Sequence, residues 1–153
     1  MILLVQRVKK ASVTTNDIVI SNISKGLLVF AGLFSDDTEE DILYCAKKCS
    51  ELRIFDDSEG KLNLSVKDVR GQILAVSQFT LCAQTKKGRR PGFDKAMKAP
   101  KSKDMFDFFL SALELQSADV KTGQFGEHMD VALINDGPVT IIIDSKEKRY
   151  NEK

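Results

Sequence analysis

Apolar residues dominate the opening of the chain. Residues 2–8 are apolar apart from Gln6 and Arg7, Ile18 to Ile23 resume after Thr15-Asn16-Asp17, and residues 27–34 follow Gly26. Short apolar runs bounded by turn residues read as strands, so residues 1–34 form a hairpin or meander. The period then changes: Ile42, Cys45, Cys49 and Leu52 recur at three- and four-residue spacing, behind Asp37 and Glu40, which resemble a helix-starting capping box. Strands return at residues 52–55 and 73–79, separated by turn residues near 57 and by Gly71. A second helix is predicted over residues 102–115, with Met105, Phe109, Ala112 and Leu113 as its apolar face and Phe106 and Phe108 widening it. Two strands, 129–135 and 139–144, joined by Asp136-Gly137-Pro138, complete the pattern. The chain thus reads as one α/β domain, residues 1–145, of mixed β-sheet layers packed against helices, with a charged tail from Lys146 that is expected to fray.

At 153 residues, with 42% hydrophobic and 29% charged positions, the chain holds its own core and is not disordered by composition. A net charge of +1 excludes a protein that coats nucleic acid through its summed field, so any polyanion site must be local. The neutral total hides such a site. Between Lys86 and Lys103 eight basic residues face one acid, Asp94, a balance of +7, which leaves −6 for the remainder. Lys86, Lys87, Arg89 and Arg90 surround Gly88, which suits a loop that contacts phosphates; a merely solvated loop is the alternative. Cys45, Cys49 and Cys82 lack the paired spacings of a zinc site and are expected as small buried hydrophobes, with no metal and no cofactor. The apolar start is too short for a signal peptide and no run spans a membrane, so a cytoplasmic protein is expected.

His128 is the one histidine and Ser77 a candidate nucleophile, which raises a Ser77/His128 hydrolase of small esters. Ser77 lacks the Gly-x-Ser-x-Gly setting of a nucleophile elbow. The acids from Asp36 to Asp41 suit a helix start better than an acid/base pair. Ser77-Gln78-Phe79-Thr80-Leu81 is more informative, because it ends an apolar strand in polar residues whose backbone N–H groups can emerge into a pocket as an oxyanion hole. Asn135-Asp136-Gly137-Pro138-Val139-Thr140 joins two apolar runs and by composition alone is a turn without an assigned role.

Taken together, Val5-Gln6-Arg7-Val8 with Ala11-Ser12-Val13, Leu52-Arg53-Ile54-Phe55, Ser77-Gln78-Phe79-Thr80-Leu81, Lys87-Gly88-Arg89-Arg90-Pro91 and Asn135-Asp136-Gly137-Pro138-Val139-Thr140 resemble the D-aminoacyl-tRNA deacylase family. The match keeps its order from residue 1 to about Ser145, departing at Gly92, where serine is common and the loop is expected to loosen, and at Cys82, where tyrosine is common. The resemblance implies a homodimer that hydrolyses the ester of D-aminoacyl-tRNA without a metal or other cofactor. It implies that Ser77, Gln78, Phe79 and Thr80 line the catalytic pocket, and that Gly137 and Pro138, joined by a cis bond, enter the partner subunit's site to select chirality. Lys86, Lys87, Arg89 and Arg90 then dock the tRNA, and achiral glycyl-tRNA is an expected secondary substrate. A tRNA 3′-end binding module without catalysis is the other competing reading.

Overall fold

The computed structural model describes residues 1–116 and 119–150. The first strand, β1, runs unbroken from Ile2 to Thr15, longer than the apolar run suggests, because alternation of buried and half-exposed residues continues past Lys9 and Lys10. Asn16 and Asp17 both adopt positive φ, 49° and 63°, which makes the primed turn that suits a tight hairpin. The chain returns as β2 (Ile18–Ile23) and β3 (Gly26–Gly32), both antiparallel to β1.

Helix α1 (Glu39–Glu51) starts one residue later than the Asp37/Glu40 reading requires. Its cap is Thr38, whose N–H and hydroxyl both donate to the Asp41 carboxylate, at 2.9 and 3.0 Å. Asp37 instead ties down the amino terminus, its buried carboxylate accepting the ammonium of Met1 and, at 2.6 Å, the N–H of Phe34. The strand expected over 52–55 shrinks to β4 (Phe55–Asp56), paired with β5 (Leu62–Leu64), which the apolar pattern does not reveal. Leu52 caps α1, and the carbonyl of Ile54 goes to the Arg7 side chain rather than to a neighbouring strand.

The strand expected over 73–79 is β6 (Gln72–Ser77), followed by a 3-10 turn at Phe79–Cys82. After α2 (Lys101–Gln116) comes the short β7 (Val120–Thr122), too brief for periodicity to signal. The last two predicted strands are one, β8 (Asp130–Asp144). Against β1, Val8 pairs with Asn135 and Gln6 with Thr140, so the intervening β8 residues bulge out of the ladder without ending it. From Ser145 to Tyr150, where fraying is expected to begin, the chain winds into a 3-10 turn, and Lys146 reaches Asp36 at 3.0 Å. Residues 151–153 of the expected tail lie outside the described residues.

The result is one mixed six-stranded sheet. β3, β6 and β7 are parallel neighbours, while β2, β3 and β8 lie antiparallel to β1. Alternation on the central strands builds two cores. Leu27, Val29, Ile73 and Ala75 face the helices with Ile42, Cys45, Cys49, Phe106, Phe109 and Leu113, whereas Leu28, Leu74 and Val76 pack on the other face with Val8, Val13 and Ile23. All three cysteines are buried; burial pushes the thiols of Cys45 and Cys49 up to about 12 and that of Cys82 to about 11. They serve the core as small hydrophobes. No helix among the described residues is long and apolar enough to cross a membrane.

Candidate active site

In open sheets with parallel strands, ligands bind beyond the carboxyl ends of those strands. Here the ends of β3, β6 and β7 converge on a cavity of about 420 Å³, lined by Ala31 and Leu33 at the end of β3, Val76, Ser77, Gln78 and Phe79 at the end of β6, and the Phe125–Met129 turn after β7. Met97 and Ser102 close it from the α2 side. Gly126, at φ +81°, lets the β7–β8 connection turn back over the opening.

Three of the four predicted catalytic positions meet at this cavity. Ser77 is the last residue of β6, paired with Ala31, and the Gln78 N–H is spent on the Ala31 carbonyl at 2.8 Å. A 3-10 turn leaves its first N–H groups without partners inside the turn. Among the described residues the N–H groups of Phe79 and Thr80 donate no hydrogen bond, while Leu81 N–H donates to the Gln78 carbonyl at 3.2 Å. Thr80 itself is exposed and does not line the cavity; its Oγ1 accepts a bond from Gln78 Nε2. The Phe79 ring, 55% exposed, is held edge-on by Phe93 with centroids 5.0 Å apart.

His128 lies at the rim of the same cavity as Ser77, a juxtaposition that sequence distance conceals. The geometry is not that of a nucleophile and its base. The His128 side chain is 96% exposed and its Nε2 lies 3.8 Å from Asp130, and among the described residues no hydrogen bond joins it to Ser77.

Gly137 and Pro138 lie elsewhere. Their peptide bond is cis, and both are exposed in the β8 bulge. That bulge faces Arg7, which pairs with Leu27 on β3, whereas Ser77 pairs with Ala31. Four residues of strand, about 13 Å, and three strand spacings of about 4.8 Å thus separate the bulge from the cavity of its own chain. Arg7, buried inside β1, is the neighbour of the bulge that sequence reading does not single out. Its Nε donates to the Asp136 carbonyl and its Nη1 to the Ile54 carbonyl, both at 2.8 Å, with the Asp56 and Asp136 carboxylates 3.5 and 3.7 Å away. The available signal is a charged residue within the mostly apolar run of residues 2–8. Asn135 closes the bulge, accepting the Val139 N–H at 2.8 Å and donating to the Val139 carbonyl at 3.1 Å. Gly137 has φ +143°, and a Cβ there would stand 2.9 Å from the Val139 side chain and 3.2 Å from Arg7 Nη2, so no other residue fits without displacement.

The basic segment forms a second cleft, of about 550 Å³, lined by Lys86, Lys87, Arg90 and Lys95 together with Gln84 and Gly92. Arg89 is exposed and outside the lining. Gly92 does not loosen the loop: Gln84 and Gly92 exchange two backbone hydrogen bonds, 2.8 and 3.0 Å, and close it.

Fold and cavity define a single-domain α/β protein with a cavity at the carboxyl ends of its parallel strands. Residues 4–144 match the family described as D-Tyr-tRNA(Tyr) deacylase, and the chain belongs to that family. It is 53% identical over 144 residues to a D-aminoacyl-tRNA deacylase of Finegoldia magna, covering 94% of this chain and 97% of that protein. A protein of the same name from Bacillus cereus is 50% identical over 141 residues, with 92% and 97% covered. Among solved structures, the c-Myc DNA unwinding element binding protein superposes with a TM-score of 0.90 at 39% identity, covering 94% of this chain and 98% of that one. A probable eukaryotic D-amino acid tRNA deacylase shares the fold with a TM-score of 0.79 at 17% identity, over 94% and 98% of the two chains.

Proposed function

We propose that this chain hydrolyses the ester linking a D-amino acid to the 3′ end of tRNA, releasing both, as a cytoplasmic homodimer. The observation that carries the reading is the end of β6: Ser77, Gln78 and Phe79 at the cavity, with the Phe79 and Thr80 N–H groups unspent, in a chain of the deacylase family. An aminoacyl ester is already reactive, so orientation and oxyanion stabilisation supply the catalysis. The two N–H groups hold the carbonyl oxygen as it gains charge, water attacks the carbonyl carbon, and the ribose oxygen leaves with a proton, the neighbouring 2′-hydroxyl assisting. No side-chain nucleophile is needed. Among the described residues the partner of the Thr80 hydroxyl is the Gln78 amide, which is not a base.

Mirror-image substrates offer the same groups, so selection needs a rejecting element as well as a gripping one. Gly137 and Pro138 supply it from the partner subunit, their carbonyls gripping the amino group of a D-residue and leaving no space for an L side chain. Their exposure and their separation from their own chain's cavity support a role across an interface. Glycyl-tRNA, lacking a side chain, escapes rejection and is a secondary substrate. Lys86, Lys87 and Arg90, which line the basic cleft, dock the tRNA, whereas Arg89 lies outside its lining.

The test is release of D-tyrosine from D-tyrosyl-tRNA by the purified protein. Hydrolysis well above the spontaneous rate is expected. A protein that binds the RNA and leaves the ester intact would instead be a 3′-end binding module. The Ser77/His128 hydrolase is the second reading, favoured only by the shared cavity, and the His128→Ala variant discriminates it.

A further inference from the structure

Beside the ester cavity, the cleft lined by Lys86, Lys87, Arg90 and Lys95 combines three observations. Among the described residues these four cations have no intramolecular ion pair or hydrogen bond from their side chains, and no acid lines the cleft. Uncompensated like charge around one concavity is unfavourable unless a polyanion occupies it. The loop is also closed rather than free, because the Gln84–Gly92 pair fixes both of its ends. Finally, the cleft is joined to the cavity by a short stretch of chain. Gln78 lines one and Gln84 the other, six residues apart, so at most about 20 Å separates them. Phe79, at the cavity, packs on Phe93, which directly follows Gly92 of the cleft.

We propose that this cleft is a phosphodiester subsite for the single-stranded 3′ end of the tRNA, with Lys95 as a fourth contact and Arg89 outside it. This rests on the deacylase reading for its substrate and adds where along that substrate the charge is read. Phosphates of the nucleotides next to the esterified ribose enter the cleft, and their ion pairs position the terminal nucleoside over the Ser77–Phe79 cavity. Phosphate contacts fix register without reading sequence, which agrees with a lining of cations and backbone. The contribution is to binding in ground and transition states alike, so it belongs in KM.

The experiment compares wild type with Arg90→Gln/Lys95→Gln and with Arg89→Gln on two substrates, D-tyrosyl-tRNA and D-tyrosyl-adenosine, which has no phosphodiester. The double variant is expected to raise KM for the tRNA about tenfold at unchanged kcat, to leave the adenosine ester unaffected, and to flatten the salt dependence of tRNA binding by roughly 0.7 log unit per cation removed. Arg89→Gln is expected to change KM less than twofold. An unchanged KM and salt slope in the double variant, or an equal rise in KM for both substrates, overturns the subsite. Binding of an uncharged RNA oligonucleotide with a single-stranded 3′ end, followed by fluorescence anisotropy, judges the cleft independently of turnover. If wild type hydrolyses neither ester, the deacylase reading falls, while the cleft still stands or falls on whether the double variant loses oligonucleotide affinity and salt slope.

Discussion

Gly137 shows how much one residue can determine. Its φ of +143° and the contacts awaiting a Cβ, 2.9 Å to Val139 and 3.2 Å to Arg7, exclude an L side chain from that position. Gly137→Ala is expected to cost about 1–3 kcal/mol of local strain, to leave the fold intact by circular dichroism, and to lower the D-over-L preference in deacylation at least about tenfold. Preference unchanged in a folded variant would remove Gly137 from chiral selection. Thr80 and His128 make the converse case. With Thr80 exposed and bonded to Gln78, Thr80→Ala is expected to reduce kcat by no more than about tenfold, whereas deleting a covalent nucleophile typically removes a factor of about 10⁶. His128→Ala, measured alongside, is expected to stay within about twofold of wild type. Ser77, Gln78 and Phe79 are legible in the sequence because polar residues at the end of an apolar strand demand an explanation. Arg7 is not legible as a support of the bulge, since its partners are carbonyls of Ile54 and Asp136, contacts that exist only once β1, β4 and β8 are side by side.

Elements are legible where burial follows a period. Helix α2, expected over 102–115, spans Lys101–Gln116, because its apolar stripe is long enough to average out local exceptions. β7 and β5, three residues each, contain no full repeat, and β8 looks like two strands because Gly-Pro signals a turn in sequence while a bulge accommodates it in the sheet. The start of α1 shifts by one residue because Asp41, three residues on, accepts the Thr38 N–H and hydroxyl. Burial pushes the Asp41 carboxyl up, but the Thr38 N–H and the hydroxyls of Ser145 and Thr38 outweigh it and hold the group below its ordinary value. A depressed carboxyl contributes stability above its unfolded pKa of about 3.9 and loses it as pH falls through the lower folded value. Asp41→Ala is therefore expected to lower Tm by about 2–4 °C at pH 7, the size of a lost cap of about 1 kcal/mol. In thermal melts the gap between variant and wild type should close as pH falls below about 4; a constant gap would contradict the assignment.

For the molecule as a whole, the split of charge is visible in the sequence, but its location is not. The +7 segment and −6 remainder predict a local polyanion site, and the structure sets the first part of that segment, Lys86 to Arg90, in a closed loop beside the carboxyl ends of β3 and β6. Distance between cavity and Gly-Pro bulge depends on strand order and register, which local patterning does not encode. That separation supports the proposal that selection falls to a second copy of the chain. In the proposed mechanism, backbone N–H groups at the end of β6 hold the oxyanion while water attacks the ester, and the partner's bulge rejects one hand of the substrate. Parallel time courses with D-tyrosyl-tRNA and L-tyrosyl-tRNA at equal concentration put both halves of this mechanism to the test at once. Rapid loss of the D-ester is expected, with loss of the L-ester at the spontaneous rate; equal hydrolysis of both would contradict it.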